Sequence, residues 1–372
     1  MKKVGITGQE GFIGKHLYNT LYLNPEEFEL VDFKRDYFSD PSALESFVDK
    51  CDVIIHLAAL NRHNDPEEIY KVNVDLVQKL IYALNITNSK AHLIFSSSSQ
   101  EDRKNIYGES KKVGRELLTE WATKSGAKFT GLIIPNVFGP FGHSFYNSFI
   151  ATFSYQLTHN EKPCIDSDSN VDLIYVGDLV KAIISEINNP ICKPVVYITA
   201  TDRKKVSEVL LLLNEYKTTY QDNNIIPVLR DQFEVNLFNT FRSYIDLKKH
   251  YPVRYIQHTD TRGSFIEIVR LNIGGQVSFS TTLPSITRGN HFHTRKIERF
   301  SVIKGNALIQ LRKIGDDEII DFHLSGDKPA FVDMPIWYTH NITNTGDEDL
   351  YTVFWINEFF NTEDPDTYFE NV

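Results

Sequence analysis

The rhythm of apolar positions changes once along this chain. Up to residue 247, short apolar runs alternate with stretches whose apolar residues fall three or four apart; from residue 248 onward, short alternating segments follow one another. Lys3–Thr7 reads as a buried strand, and Ile13, Leu17 and Leu21 predict the helix behind it. Glu29-Leu30-Val31 is a second strand ending at Asp32, and Asp52–Ala59 a third, closing on small residues. Asn73 is expected to open a helix carrying Val77, Leu80, Ile81 and Leu84 on one face. His92–Phe95 is a further strand that runs into the serines 96–99. Asn147–Leu157 reads as helix, Leu173–Val176 as strand with Asp178 capping the next helix, and Val206, Val209, Leu210 and Leu213 mark another. Alternating strands and helices predict an α/β, Rossmann-like doubly wound parallel sheet with a small substrate lobe. Residues 222–250 are polar with interspersed aromatics, and the tail of that region, near Lys248-Lys249-His250, reads as the domain connection. Beyond it, strands at Phe265–Val269, Gln276–Ser280, Phe300–Ile303, Ala307–Leu311, Ile319–Leu324 and Leu350–Asn357 are separated by turn signals such as Lys304-Gly305-Asn306. That spacing predicts an all-β jelly roll or sandwich. The expected domains are 1–247 and 248–372.

A length of 372 residues fits two or three domains. The net charge of −10, with no basic block, argues against nucleic acid as a partner and leaves room for a local pocket for anionic small molecules. Cysteines 51, 164 and 192 are odd in number and lie in apparent core or loop, which predicts a reducing compartment without disulfides. The chain enters a strand at once, leaving no room for a signal peptide. No apolar run approaches the ~18 residues of a membrane helix. The expectation is a cytoplasmic protein with no membrane partner.

The first strand is followed by Gly8-Gln9-Glu10-Gly11-Phe12-Ile13-Gly14 and then a helix. Strand, glycine turn and helix is the context in which Gly8, Gly11 and Gly14 permit close approach of a dinucleotide pyrophosphate to the helix N-terminus at Phe12 and Ile13. Asp32, eighteen residues after Gly14, stands where a carboxylate would meet the ribose hydroxyls. It favours NADH, whereas Lys34 and Arg35 next to it suit the 2′-phosphate of NADPH. Leu57 and Ala58 end the third strand where backbone would abut the cofactor. Tyr107 and Lys111, four apart, share a helix face. A tyrosine titrates near ~10 in water, and a nearby ammonium together with a positive nicotinamide would lower that value. A serine at the preceding strand end is placed to hold a substrate oxygen. These features, with Asn73 and Pro135–Pro140, resemble the extended short-chain dehydrogenase/reductase family over residues 1–245. The resemblance makes Tyr107 the proton donor or acceptor, Lys111 the residue that orients the cofactor ribose, and Ser98 the assisting serine. The chain departs from it in a serine-to-tyrosine gap of only nine residues and in Ile134, where a basic residue often stands.

In the second half, alternation sends His291 and His293 to one face, Glu298 follows a short turn, and His340 adds a third imidazole. Three imidazoles and a carboxylate suit Zn2+ or a similar divalent ion. With Gly305, this set resembles the two signature motifs of the cupin jelly roll, except that Trp337 stands where cupins usually carry glycine, so the turn before His340 is expected to differ and the cavity to narrow. Asp260-Thr261-Arg262-Gly263-Ser264-Phe265 resembles a segment of the cupin-fold dTDP-sugar 3,5-epimerases. A reductase joined in this order to a cupin is similar, over nearly the whole chain, to the CapF family of bifunctional capsular polysaccharide synthesis enzymes. That resemblance implies a cupin that epimerises carbon 3 of a UDP-4-keto-6-deoxy-N-acetylhexosamine. It implies a reductase that then reduces the carbon 4 ketone with NADPH to UDP-2-acetamido-2,6-dideoxy-L-talose, toward UDP-N-acetyl-L-fucosamine. It further implies zinc and a homodimer through the cupin. Lys296 matches a family lysine between the ligands and is the expected base; Tyr338 is a second proton-transfer candidate. Two alternatives stand beside this reading. One is a reductase whose cupin only dimerises, the other a silent sensor of dinucleotide and sugar nucleotide.

Overall fold

The computed structural model describes residues 1–261 and 263–372; Arg262, within the segment likened to the sugar epimerases, lies outside the described residues. The chain divides into two units, Met1–Thr152 with Ile165–Glu208, and Phe153–Cys164 with Val209–Val372.

The first unit begins β1 (Lys2–Thr7), α1 (Phe12–Tyr22), β2 (Phe28–Val31), α2 (Pro41–Asp49), β3 (Val53–His56), α3 (Pro66–Ile86), β4 (His92–Ser98), α4 (Ile106–Ser125), β5 (Phe129–Ile134) and β6 (Asn136–Phe138). Helix α5 (Phe149–Thr158) runs into the second unit; β7 (Asn170–Tyr175), α6 (Val176–Asn188), β8 (Val196–Tyr197) and β9 (Asp202–Lys205) return to the first. Six parallel strands lie in the order β2-β1-β3-β4-β5-β8. Their side chains feed two cores in alternation. Leu93 and Phe95 join Leu80, Leu84 and Leu118 on one face, while Ile94 joins Leu17, Leu21 and Ile183 on the other. Burial on both faces explains why these strands read as continuous apolar runs. Strand order reverses between β1 and β3, so the loops after those two strands diverge and leave a crevice. Helix α3 starts at Pro66, with Asp65 accepting from the Glu67 amide, so Asn73 sits two turns inside it rather than at its opening. The polar run before Asn73 hid the start. Asp178 likewise lies in the first turn of α6, behind an N-cap at Tyr175.

The second unit resumes within α7 (Val206–Tyr216) and runs through α8 (Gln232–Arg242) and α9 (Leu247–His250) into strands only. These are β10 (Val253–Arg254), β11 (Gln257–Asp260), β12 (Gly263–Ile266), β13 (Gln276–Thr282), β14 (Thr287–Phe292), β15 (Glu298–Lys304), β16 (Asn306–Lys313), β17 (Ile319–Ser325), β18 (Ala330–Met334), β19 (Tyr338–Asn344), β20 (Leu350–Ile356) and β21 (Tyr368–Phe369). Two antiparallel five-stranded sheets form, β10-β18-β15-β20-β13 and β17-β16-β19-β14-β21, with β11-β12 as a separate hairpin. Val302, Phe331 and Val332 of one sheet meet Ile309, Leu311, Phe322 and Ile342 of the other in a shared core. A buried charged network backs β15. Asp333 accepts from Arg299 Nε and Nη2 at 2.7 and 3.0 Å and from the Tyr220 hydroxyl at 2.6 Å. Tyr251 lies 2.7 Å from that hydroxyl, and Arg242 of α8 donates to the Met334 carbonyl at 3.1 Å. Burial opposes ionisation of Asp333, but the Arg299 guanidinium outweighs it and holds the carboxyl below its ordinary value. Among the described residues no helix is long and apolar enough to cross a membrane.

Candidate functional site

The crevice of the first unit is built by close backbone approach. Gly8 has φ +77°, and a Cβ there would fall 2.8 Å from the Ala58 nitrogen; one at Gly14 would fall 2.2 Å from the Gly8 carbonyl oxygen. Only glycine lets the turn after β1 fold under α1 and against the end of β3. Gly11 is the N-cap of α1 and brings no side chain to cap it, so the amides at Phe12 and Ile13 stay available to an anion. The Ala58 amide and His56 Nδ1 both meet the Thr7 hydroxyl, at 3.4 and 2.6 Å, which ties Leu57 and Ala58 to the glycine turn. Gln9 accepts from the Phe33 amide at 3.3 Å and so draws in the segment carrying Asp32, Lys34 and Arg35, all three exposed.

Tyr107 and Lys111 lie in the first turns of α4, which Asn105 caps by accepting from the Gly108 amide at 2.7 Å. A Cβ on Gly108 would meet the Gln100 carbonyl oxygen at 2.0 Å, so the helix start presses on the loop that leaves Ser98. Burial, then the neighbouring Tyr146, pushes the Tyr107 phenol up to about 12. Burial lowers Lys111 to about 7 against the pull of Glu101, and its ammonium lies 4.4 Å from the centre of the Phe95 ring. The expected depression of Tyr107 is therefore not supplied by the protein alone. Desolvation wins, and the positive nicotinamide ring of that expectation belongs to the cofactor. Ser98 accepts from the Gln100 amide at 3.1 Å, which leaves its own O–H as a donor, whereas Ser97 donates to Glu101 and Ser96 to the His56 carbonyl. Asn73 clamps Leu60 through both backbone groups (2.7 and 3.0 Å) and donates to Ser110, beside Lys111, at 3.0 Å.

In the second unit His291, His293, Glu298 and His340 converge, with one ligating atom of each within 4.8 Å of the others. A bulge between Gly289 and His291 re-aims β14, and His291 pairs directly with His340 of β19. Trp337, at the glycine position, takes the left-handed conformation itself (φ +61°), and its amide donates to the His293 carbonyl at 2.7 Å. Two ring orientations decide what the cluster fits. His293 Nδ1 lies 2.5 Å from the Asp366 carbonyl oxygen and His340 Nδ1 3.2 Å from that of Tyr338. Each carbonyl requires an Nδ1–H, which turns the Nε2 lone pair inward. Both Nε2 atoms then face the same Glu298 oxygen, at 3.2 and 3.3 Å, and His340 Nε2 is buried without a hydrogen-bond partner. Inward lone pairs against a carboxylate repel unless a cation stands between them, either a metal ion or a proton on an imidazole. Burial lowers His293, yet the Glu298 carboxylate outweighs it and raises that imidazole above its ordinary value. Burial opposes ionisation of Glu298, yet His293 and His340 hold it well below the carboxylate range, and burial followed by the two neighbouring imidazoles lowers His291 to about 4. The donor set of three imidazoles and one carboxylate fits Zn2+ or a similar ion.

Lys296 is buried, and its ammonium donates to the Pro365 carbonyl at 2.5 Å rather than into the cluster. Tyr338 lies along the core, pushed up to about 12 by burial and then by Asp316 and Glu318. Two functional neighbours went unrecognised in the sequence. Asp366 accepts from the amides of Thr294, Arg295 and Lys296, and Tyr146 accepts from the Asn61 amide at 3.0 Å beside Tyr107. Neither carries a local signal.

Residues 4–195 match the NAD dependent epimerase/dehydratase family, and residues 258–368 match the polysaccharide biosynthesis C-terminal domain. A UDP-2-acetamido-2,6-beta-L-arabino-hexul-4-ose reductase of Pseudomonas aeruginosa is 31% identical over 368 residues, covering 98% of each chain. The crystal structure of the capsular polysaccharide assembling protein CapF from Staphylococcus aureus is 35% identical, covers 100% of both chains, and superposes with a TM-score of 0.64. The spore coat polysaccharide biosynthesis protein SpsL of Bacillus subtilis is 24% identical over 123 residues, 30% of this chain and 82% of its own.

Proposed function

We propose a two-step activity for this chain, which belongs to the CapF family and, through its first unit, to the NAD dependent epimerase/dehydratase family. The substrate class is a UDP-4-keto-6-deoxy-N-acetylhexosamine, in keeping with the 4-ulose named for the Pseudomonas relative. In the first step the cupin inverts carbon 3. The proton there is acidic because the carbon 4 ketone accepts the electron pair as an enolate. Zn2+ held by His291, His293, Glu298 and His340 would supply electrophilic stabilisation of that oxygen. Lys296 is the proposed base, and it must release the Pro365 carbonyl to act; Tyr338 is the second candidate for proton transfer.

In the second step the reductase converts the ketone to the alcohol, giving UDP-2-acetamido-2,6-dideoxy-L-talose. NADPH, when bound, would supply the hydride for carbon 4; Tyr107 delivers its phenolic proton to the carbonyl oxygen, and Ser98 donates a hydrogen bond to it. The buried Tyr107 suits proton delivery, since its phenol stays protonated until charge develops on the substrate. Lys111 orients the ribose and compensates the phenolate. Lys34 and Arg35, exposed beside the crevice, favour NADPH; Asp32 is the feature that favours NADH. Edge strand β13 exposes Val277 and Phe279, and the β11-β12 hairpin exposes Phe265, which supports a homodimer through the cupin.

The observation that carries the two-step reading is the pair of inward Nε2 atoms converging on Glu298. The engaged Lys296 favours a different reading, a reductase whose cupin only dimerises. Full-length protein and His291→Ala are compared for NADPH oxidation on the 4-keto sugar, with product configuration read by NMR. Inversion at carbon 3 by wild type alone supports the epimerase. Identical rates and products reduce the cupin to a structural partner. No oxidation by either protein removes the reductase assignment for this substrate class.

A further inference from the structure

The link between His293 and Glu298 is held by a segment far along the chain. Strand β21 pairs with β14 at His291 and Phe292, and Tyr368 stacks on Phe292 with ring centres 5.3 Å apart. The Glu370 amide donates to the Asn290 carbonyl at 3.0 Å, and Arg312 donates to the Glu370 carboxylate at 3.0 Å. This strap therefore grips the strand that carries His291 and leads directly into His293. Asp366 lies just ahead of β21, 2% exposed. One carboxylate oxygen accepts from the Thr294 amide at 3.0 Å and the Thr294 hydroxyl at 2.6 Å. The other accepts from the amides of Arg295 and Lys296, both at 3.1 Å. The main-chain oxygen of the same residue is the acceptor for His293 Nδ1.

We propose that Asp366 is a positioning residue for the metal cage, holding the Thr294–Lys296 link with its carboxylate and orienting the His293 imidazole with its carbonyl. The proposal rests on the reading of His291, His293, Glu298 and His340 as a metal site. Three successive amides turned to one side form a concave donor surface that an anion completes. Without the carboxylate those donors stand unpaired under a covering segment, and such groups are costly enough to reshape a short link. A reshaped link moves His293 relative to Glu298, so the geometry offered to an ion changes although no ligand has been removed. Asp366 has φ +39°, a region that aspartate and asparagine tolerate better than other side chains. Asp366→Asn therefore retains size and backbone while replacing one acceptor oxygen by a donor that faces the amides.

The test uses full-length wild type, Asp366→Asn and Thr294→Val, each stripped of metal and titrated with Zn2+ against a chromophoric chelator. Thermal midpoints are taken with and without saturating Zn2+, and the visible spectrum of the Co2+ form is recorded. Asp366→Asn is expected to raise the free zinc at half-occupancy about 10- to 100-fold, the usual effect of removing an outer partner of a ligand. It should also shift the Co2+ bands and shrink the zinc-induced rise in midpoint. Thr294→Val, which loses one of four donors, should weaken zinc by only about two- to fivefold. Wild-type zinc affinity in Asp366→Asn, or a midpoint lowered equally with and without zinc, overturns the proposal. If Asp366→Asn does not fold, Thr294→Val decides. Weakened zinc supports the proposal and unchanged zinc overturns it. Failure of the wild type itself to bind zinc overturns the cage reading and the proposal together, which separates that failure from the others.

Discussion

Lys111→Met should make the protein more stable while ending ketone reduction. Lys111 is 3% exposed, and burial lowers it from the ordinary lysine value near 10.5 to about 7. Below about pH 7 it is charged in both the folded and unfolded chain, and the full cost of burying the ammonium, roughly 5 kcal/mol, weighs on the folded state. Between about pH 7 and pH 10.5 only the unfolded chain holds the proton, so stability rises with pH and the cost fades toward zero. Near pH 8 about 3 kcal/mol remains. Methionine keeps the volume beside Phe95; near pH 8 the amine is mostly uncharged and little cation–π attraction is lost, while the imperfect match in shape costs about 1 kcal/mol. A net gain of about 2 kcal/mol corresponds to a midpoint about 4–8 °C higher for a unit of this size. Calorimetry of the cofactor-free protein at several pH values reads this directly. A lower or unchanged midpoint near pH 8, or a gain that stays flat up to about pH 10, would refute the argument that Lys111 is held against its own solvation.

Tyr107→Phe should lower kcat for ketone reduction by at least about 100-fold with KM changed only a few-fold, because the phenol acts as the proton arrives and not in binding; steady-state NADPH oxidation checks both constants. Asp333→Asn leaves Arg299 and Arg242 buried without their anion and should cost about 3–5 kcal/mol in the second unit, read by calorimetry. The Asp333 carboxyl lies below its ordinary value in the folded state. Its contribution is therefore present above about pH 4 and lost as pH falls through the folded value, so the gap between wild type and Asp333→Asn should close in acid.

Local pattern carried some of these features and not others. Tyr107 and Lys111 are visible because four-residue spacing is a property of one helix, and α4 carries both. Of the six strand ranges that alternation predicts in the second unit, β13, β15, β16, β17 and β20 begin and end within a few residues of them, whereas at β12 residues 267–270 leave the ladder; β10, β11, β18 and β21 were not read as strands. Helix α8 defeated the pattern for a physical reason. It buries Glu234, Asn236, Asn239, Thr240 and Arg242 beside its aromatics, so a largely buried helix reads as a polar stretch. Two of those polar groups have partners that no window of sequence contains, the Arg295 carbonyl for Asn239 and the Met334 carbonyl for Arg242. Asp366 escaped in the same way, because its donors lie about seventy residues upstream. The upward shift of Tyr107 was missed because spacing reports neighbours and not depth.

The network behind β15 bears on how such a chain is inherited. Glu298 and Arg299 are consecutive on one strand, and alternation sends one to the histidines and the other to Asp333, Tyr220 and the carbonyl of Asn224. A gene fragment that begins at the first strand of the sandwich would leave Tyr220 and Arg242 behind, and with them the lid over a buried ion pair. The portable piece for recombination therefore starts near Val209, with its helices. Any lineage that carried the sandwich elsewhere without them would have had to replace Arg299 and Asp333 by apolar residues or cover them anew.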